Sequence, residues 1–377
     1  MLNTKLHIIS FDVPYPADYG GVIDVFHKIR LIHALGVQIH LHCFDYGRGR
    51  QAILENFCQT VSYYPRITGL KSFLSSKPYI VQSRRSKELV DKLLEDDSPI
   101  LCEGIHSAAI LLDARFAKRK IGIRPTNIEH DYYRLLASRE KNFLHRMYYL
   151  SEAYKLKRFD KIHNLASAIF PVSDADDGYF KMNFPQIPSR RIFPFNGMDR
   201  LEIEPGKGKY AFFHGNLSVA ENEEIANYLM NDISGKIAMP LIIAGKNPSS
   251  ELRQKAEKMN VRLIANPTDA EMDSLVAEAH VQLMITFQPT GFKHKLLLSV
   301  FRGRHIVANK AMLSGSGMES LVHVAESSNE IIDKVNSLAQ RPFSQEDIKF
   351  RSKNLLHDHL NNHKAEQFLR WISGEEK

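Results

Sequence analysis

Lys293, His294 and Lys295 stand side by side where a helical pattern begins, in the run LMITFQPTGFKHKLLLSVFRG. Basic side chains normally avoid a helix amino terminus, because the macrodipole repels them. Three in succession imply either an anionic ligand, such as a diphosphate, or a helix start that is basic by accident. The loop before them brings Thr290, Gly291 and Phe292, and a glycine there lets a ligand approach the backbone. Lys246 follows the apolar run LIIAG and offers a point charge to a phosphate or simply to solvent. Gly215 and Asn216 follow YAFFH and precede an acidic helix start, as a binding turn or an ordinary βα turn. Gly20 and Gly21 precede a helix with apolar residues at Val22, Val25, Phe26, Ile29 and Ile32. A helix amino terminus opened by glycines is a place for an anion, or a plain glycine turn. Asn127, Glu129 and His130 lie together in RPTNIEHDYY. A carboxylate beside an imidazole orients hydroxyls or moves protons, or else caps the next helix.

Other chemistries are missing. HEXXH, Walker A, GxSxG and GxGxxG do not occur, and the 17 histidines are scattered. No metal site and no bound cofactor are therefore expected. Three cysteines, Cys43, Cys58 and Cys102, form no CxxC. They suit a reducing, cytoplasmic setting better than a disulfide framework.

These residues need elements to hold them. Short apolar runs at 6–10, 38–43, 99–103, 121–128 and 169–172 read as strands, as do 210–214, 240–244, 261–264, 281–286 and 305–308. Helical periodicity fills 22–35, 87–95, 141–161, 221–231, 250–260, 270–279 and 295–302. Continuous apolar strands alternating with helices predict parallel sheets covered on both faces. The alternation pauses over 180–208, which is rich in Pro, Gly, Asn and Arg and reads as an interdomain linker. The 377 residues then divide into an N-terminal domain, 1–200, and a C-terminal domain, 201–362, with a last helix, 363–377, packing back on the first. Ser344 with Asp347 has the spacing of a capping box.

A formal charge of +7 is spread along the chain. It favours phosphates, nucleotides or an acidic lipid surface, but is too diffuse to argue for nucleic acid. No run approaches the roughly 18 apolar residues of a membrane span, and the start, MLNTKLHIISFDVPYP, reads as a core strand rather than a signal peptide. The stretch 141–161 mixes six Lys and Arg with Phe143, Leu144, Met147, Tyr148, Tyr149 and Leu150. It serves as a core-packed helix with a solvated basic face, or as a peripheral contact with anionic lipid.

An ordered series of short motifs resembles the GT-B fold glycosyltransferases, and within them the retaining family 4 group. It comprises the Pro-rich first loop with Gly20-Gly21, NIEHDYY, LKRFDKIHNLASAIFPVSDADD, NGMD, FHGNLS, LIIAGKNP and VRLIANPTDAEMDSLVAEAHVQLM. The resemblance runs over nearly the whole chain. It implies an α/β fold of two Rossmann-like, doubly wound domains facing a central cleft.

The resemblance also implies a metal-independent, hexosyltransferase-like enzyme that moves a sugar from a nucleotide diphosphate-sugar to an acceptor hydroxyl. The setting is surface polysaccharide or glycoconjugate synthesis, in the cytoplasm or at the inner face of the membrane. The nucleotide-sugar is a co-substrate, and the acceptor is a glycan or is lipid-linked. The donor would contact Gly215, Asn216, Lys246, Thr290, Gly291, Phe292, Lys293, His294 and Lys295. The acceptor would lie near Gly20, Gly21 and Asn127, with His130 and Glu129 as the catalytic pair. Two departures stand out. The family's two glutamates, eight residues apart, are Thr290 and Leu298 here, and the arginine of its G-R-L motif is Asn216. Diphosphate binding then falls to Lys293, His294, Lys295 and the Gly291 backbone. A non-catalytic relative that binds a sugar, a nucleotide or a partner enzyme is the alternative.

Overall fold

The computed structural model describes residues 4–73, 75–288, 293–355 and 357–375. The chain forms two units. The first comprises Met1–Gly197 with Asp358–Lys377, and the second Met198–His357.

Six parallel strands make the first sheet: β1 (Lys5–Ser10), β2 (Gln38–Asp45), β3 (Thr60–Pro65), β4 (Ile100–Glu103), β5 (Ile121–Arg124) and β6 (Ala168–Ile169). Their order is β3-β2-β1-β4-β5-β6. Six more make the second: β7 (Ala211–Asn216), β8 (Leu241–Lys246), β9 (Arg262–Ala265), β10 (Val281–Met284), β11 (His305–Ala308) and β12 (His323–Val324). Their order, β12-β11-β10-β7-β8-β9, repeats the same winding. Each sheet is covered on both faces, by Leu6, Ile8, Ile39 and Leu41 on one side and Ile9, Ile100, Cys102 and Ile123 on the other in the first. This is why the central strands are apolar at nearly every position. The three cysteines are free and buried. No helix among the described residues is long and apolar enough to cross a membrane.

Several elements depart from the sequence expectation. β3 was not expected: TVSYYP alternates, is only partly buried and lies at a sheet edge. β5 stops at Arg124 instead of reaching 128, and Pro125 follows. The single helix expected over 141–161 begins at Phe143, because the Asn142 side chain accepts from Leu144 N and His145 N (2.9 and 3.1 Å) and caps it. A separate helix, Glu129–Arg139, precedes it. The expected linker 180–208 opens inside the helix Asp174–Asn183. Its middle belongs to the first unit, where Ile169 N bonds Pro188 O and Arg190 N bonds Ile169 O, with Phe193 and Phe195 buried.

A buried ionic quartet ties these pieces together. Arg124 donates twice to Asp24 (2.6 and 3.0 Å) and to the carbonyls of Phe170 and Ile192. Lys28 Nζ lies 2.6 Å from Glu103 and 3.3 Å from Asp24. Phe195 N donates to Asp24 at 2.7 Å. Burial pushes the Asp24 carboxyl up, but Arg124 and Lys28 overcome it and hold the group well below the usual range. Buried charges persist only when paired in this way.

Candidate active site

Strand order reverses between β7 and β10 in the second sheet, and between β1 and β4 in the first. In open α/β sheets ligands bind outside the carboxyl ends of strands at such points.

In the second unit β7 delivers His214, Gly215 and Asn216, and the segment after β10 delivers Thr286 and Phe287. The first turn of the helix Ala220–Tyr228 joins the two. Glu221 accepts from Phe287 N at 3.0 Å and from the Thr286 hydroxyl. Asn222 donates to the Asn216 carbonyl at 2.9 Å. A Cβ on residue 215 would lie 3.0 Å from the Asn222 side chain, so glycine there admits it. Asn216 turns its own oxygen back to the Ser218 backbone and hydroxyl (3.1 and 2.8 Å). Lys246 is paired in register with Asn216 and exposed.

Lys293 is the amino-terminal cap residue of the helix His294–Arg302, whose first turn holds no acidic residue. Lys295 reaches back under this edge. Its Nζ lies 3.4 Å from Asn222 Oδ1, 3.3 Å from the Ile285 carbonyl and 4.9 Å from the Phe213 ring centre. No carboxylate pairs with it among the described residues. Burial draws the ammonium down to about 8; Glu221 opposes and Lys293 adds to the shift. Burial, helped by Lys295, also draws His214 down to about 3, leaving it neutral. Thr290, Gly291 and Phe292 lie outside the described residues. Leu298, at the family's second glutamate position, packs against the apolar cluster of Tyr210, Phe212 and Val276.

In the first unit Gly20 and Gly21 open the helix Gly20–Ala34. A Cβ on residue 21 would lie 2.7 Å from the Phe11 ring. The demand for glycine there comes from the chain's own packing. Glu129 is buried at the start of its helix, 3.3 Å from the Thr126 hydroxyl. Burial pushes its carboxyl up to about 7, against hydrogen bonds from Thr126 and Asn127; Asp176 adds to the shift and Arg84 opposes it. His130 faces other company. Its ring centre lies 5.7 Å from Tyr179 and its Nε2 3.5 Å from Asp131. Burial holds it below the ordinary histidine value despite Asp131 and Asp160. Adjacent on one helix, the two side chains thus enter different surroundings, and the structure does not bring them together as a pair.

One residue was missed. His106 follows β4 across the reversal point from Phe11, with ring centres 5.4 Å apart. Its Nδ1 is buried and has no hydrogen-bond partner among the described residues. Gly104, at φ +69°, makes room for it, since a Cβ there would lie 2.6 Å from that nitrogen. Burial first, then Arg84 and Arg66, keep the imidazole neutral well below its usual value. Arg84 is itself buried and donates to the carbonyls of Phe11 (2.7 Å) and Ile80 (2.8 Å). The signal lay in the sequence: a histidine three residues past the expected strand end at 103. Among the described residues no group of three or more His, Cys, Asp or Glu could hold a metal ion.

No family profile matches the chain. A 44.6 kDa protein in the cps region of Klebsiella pneumoniae is 25% identical over 352 residues, 87% of this chain and 88% of that protein. Among solved structures, Anabaena HepE in complex with UDP superposes with a TM-score of 0.65 at 14% identity, over 98% of this chain and all of that one. TarM gives 0.68 at 10% identity over 98% of both chains. A mutant of the Staphylococcus aureus TarM, in complex with fondaparinux, alpha-GlcNAc-glycerol and UDP, gives 0.66 at 9% identity over 98% of this chain and 99% of that one. A glycosyltransferase from Rickettsia africae gives 0.64 at 10% identity over 99% of both. These neighbours are GT-B glycosyltransferases, and the two six-stranded parallel sheets of this chain have their fold.

Proposed function

We propose that this chain is a glycosyltransferase that moves a sugar from a nucleotide diphosphate-sugar to an acceptor hydroxyl. The observation that carries the proposal is Lys295: a partly buried ammonium that hydrogen-bonds no carboxylate among the described residues, under the reversal point of a doubly wound sheet. Such a charge is costly to keep, and a nucleotide diphosphate offsets the cost. The donor then lies over Gly215, Asn216 and Lys246, with its diphosphate toward Lys293, His294 and Lys295, and Thr290, Gly291 and Phe292 complete the donor set. Departure of the nucleoside diphosphate builds negative charge, and each positioned donor facing it is worth about 2.7–4 kcal/mol. Lys293 and Lys295 supply that counter-charge without a metal.

The acceptor hydroxyl belongs at the carboxyl edge of the first sheet, near Gly20, Gly21, Asn127 and Glu129. There His106 accepts or donates one hydrogen bond and Glu129 exchanges a proton near neutral pH. His130 steadies the helix that carries Glu129. A retaining, front-face transfer of the family 4 kind needs no protein nucleophile. A relative in a cps region supports a place in surface polysaccharide or glycoconjugate synthesis. Calorimetry with UDP, GDP and ADP tests the proposal: one of them binds in the micromolar to millimolar range, and failure of all three overturns it.

The helix Phe143–Phe159 supports work at the inner face of a membrane. Phe143, Leu144, Met147, Leu150 and Tyr154 are all exposed, and Arg146, Lys157 and Arg158 flank them. Its one carboxylate, Glu152, is buried, where it accepts from Tyr79 N. An apolar stripe edged with cations suits anionic lipid. Flotation with anionic vesicles at low salt recovers the protein, and replacing Phe143, Leu144 and Leu150 with Ser abolishes recovery; no recovery of the unaltered protein refutes the contact. Leu298 favours a second reading, since a position that grips the donor in the family faces an apolar cluster here. A non-catalytic nucleotide or sugar binder is the alternative, and release of nucleoside diphosphate with any acceptor eliminates it.

A further inference from the structure

A cavity of about 690 Å³ lies wholly in the first unit, between the segment after β3 and the segment after β4. Its charge is lopsided: Lys77, Arg84, Arg85, Lys87 and Arg115 line it against one carboxylate, Asp113. That carboxylate is already taken by Arg115 through two hydrogen bonds (3.0 and 2.6 Å). Lys87 has a surface pair in Asp91. Lys77, Arg84 and Arg85 have no acidic partner within ion-pair distance among the described residues. Arg84 is held by backbone carbonyls only, and Arg85 repels Lys77. Cations gathered around one concavity repel one another unless an anion joins them. A guanidinium fork beside an ammonium is suited to a phosphoryl group.

The rest of the wall is apolar. Leu89 and Ile110 are buried there, and Ile67 and Leu112 are about half exposed at its margin. A phosphate alone has no use for that surface. The segment that carries Lys77 also runs along the exposed helix described above. Phe73 stacks on Tyr148 with ring centres 5.3 Å apart, and Tyr79 N donates to Glu152 at 2.6 Å. The cavity is therefore tied, through Phe73 and Tyr79, to the element that offers apolar side chains and cations outward. Arg84 extends from the cavity to the edge of the first sheet, where it bonds the Phe11 carbonyl.

We propose that this cavity binds the phosphoryl head and first apolar carbons of an amphiphilic acceptor, so that the acceptor is a lipid phosphate or diphosphate. The identification as acceptor rests on the transferase reading; the binding does not. The test uses farnesyl phosphate, inorganic phosphate and neutral octyl glucoside as probes on the full chain, below their micelle concentrations. Farnesyl phosphate binds, inorganic phosphate binds at least about tenfold more weakly, and octyl glucoside does not compete. The Lys77→Glu/Arg85→Glu double variant loses about tenfold or more in farnesyl phosphate affinity. Both residues have solvent-exposed surface, and an unchanged circular dichroism melt confirms that the variant is folded. Equal affinity for farnesyl phosphate and inorganic phosphate overturns the apolar part of the assignment. Unchanged farnesyl phosphate binding in the double variant overturns the site. UDP binding, read separately on both proteins, stays the same; its absence from both defeats the transferase reading while leaving the cavity assignment intact.

Discussion

Among the described residues the Lys295 ammonium bonds an amide oxygen and a carbonyl oxygen and lies over an aromatic face, so its charge is available to a ligand while its position is fixed. Replacing it with Met removes an unpaired buried cation. Folding stability should hold or rise, while UDP affinity falls about tenfold or more, as expected for one charge-assisted contact. An unchanged affinity by calorimetry defeats the assignment. The ammonium sits at about 8 in the free protein, so it is charged below that pH and neutral above. UDP affinity should therefore decline as pH rises from 7.5 to 9, and Lys295→Arg should flatten the profile. Glu129, pushed up to about 7, behaves in the opposite sense: its carboxylate form accumulates above pH 7. If it takes a proton during transfer, kcat/KM rises with pH through 7, and Glu129→Gln removes that limb. His106 and His130 separate by the same logic. His106→Ala should lower turnover with little change in Tm, whereas His130→Ala, which empties a packed site beside Tyr179, should lower Tm. The reverse pattern would exchange their roles.

Elements show why some of this was legible in the sequence and some was not. Central strands such as β1, β4 and β10 could be read directly, because burial on both faces leaves them mostly apolar, with His7, Ser10, Glu103 and Gln282 as the buried exceptions. β3 escaped because Thr60 and Pro65 are exposed at the sheet edge and Val61, Ser62 and Tyr63 only half buried. The end of β5 escaped for another reason: Arg124 looks like a surface residue in sequence, yet is fully buried by a carboxylate 100 positions away. The turn at Gly20-Gly21 was visible as a turn, but not why it needs glycine, and Gly104 was not read at all. Gly21 yields to Phe11, and Gly104 to His106, and neither neighbour is implied by local spacing. The direction of Lys295 likewise depends on where Asn222 and Phe213 sit, on other elements. The quartet makes the strongest prediction at this scale. Arg124→Ala leaves the buried Asp24 with only Phe195 N and one long contact to Lys28, and strips the ties to the carbonyls of Phe170 and Ile192. The loss should be about 3–5 kcal/mol in urea unfolding, against roughly 0–1 kcal/mol for breaking the exposed pair Lys87 and Asp91. Comparable losses for the two would show that the quartet does not hold these elements.

Across the whole molecule, burial draws down His40 and His323 in the two sheets and keeps four more neutral far below the ordinary value: His7 and His305 at about 4, His42 and His214 at about 3. The unfolded chain takes up these protons near pH 6.5 and the folded chain does not. Stability is thus fully present above pH 6.5 and declines as pH falls toward 4, by up to about 1.4 kcal/mol per pH unit per group. Glu129 and Asp176, raised to about 7 and 6, work the other way but are fewer, so the net effect in denaturant titrations should be acid lability. The chain path adds a further constraint. After the second unit, residues from Asp358 return to the first. In the helix Asn361–Ser373, Phe368 and Trp371 are buried against Phe170. Gly122 is held to glycine by Trp371, whose ring would lie 2.9 Å from a Cβ there. Lys364 Nζ donates to the Pro194 carbonyl at 2.7 Å. Removing one large buried aromatic costs about 3–5 kcal/mol, and a domain has about 5–15 kcal/mol in hand. Deleting residues 358–377 removes two such aromatics and the buried lysine, so the first unit should lose cooperative unfolding. The second unit, which contributes no residue to that core, should keep its own transition and its stabilisation by UDP. Calorimetric scans with and without UDP distinguish the cases: a truncated protein that keeps both transitions would show that the returning helix is dispensable to the unit it completes.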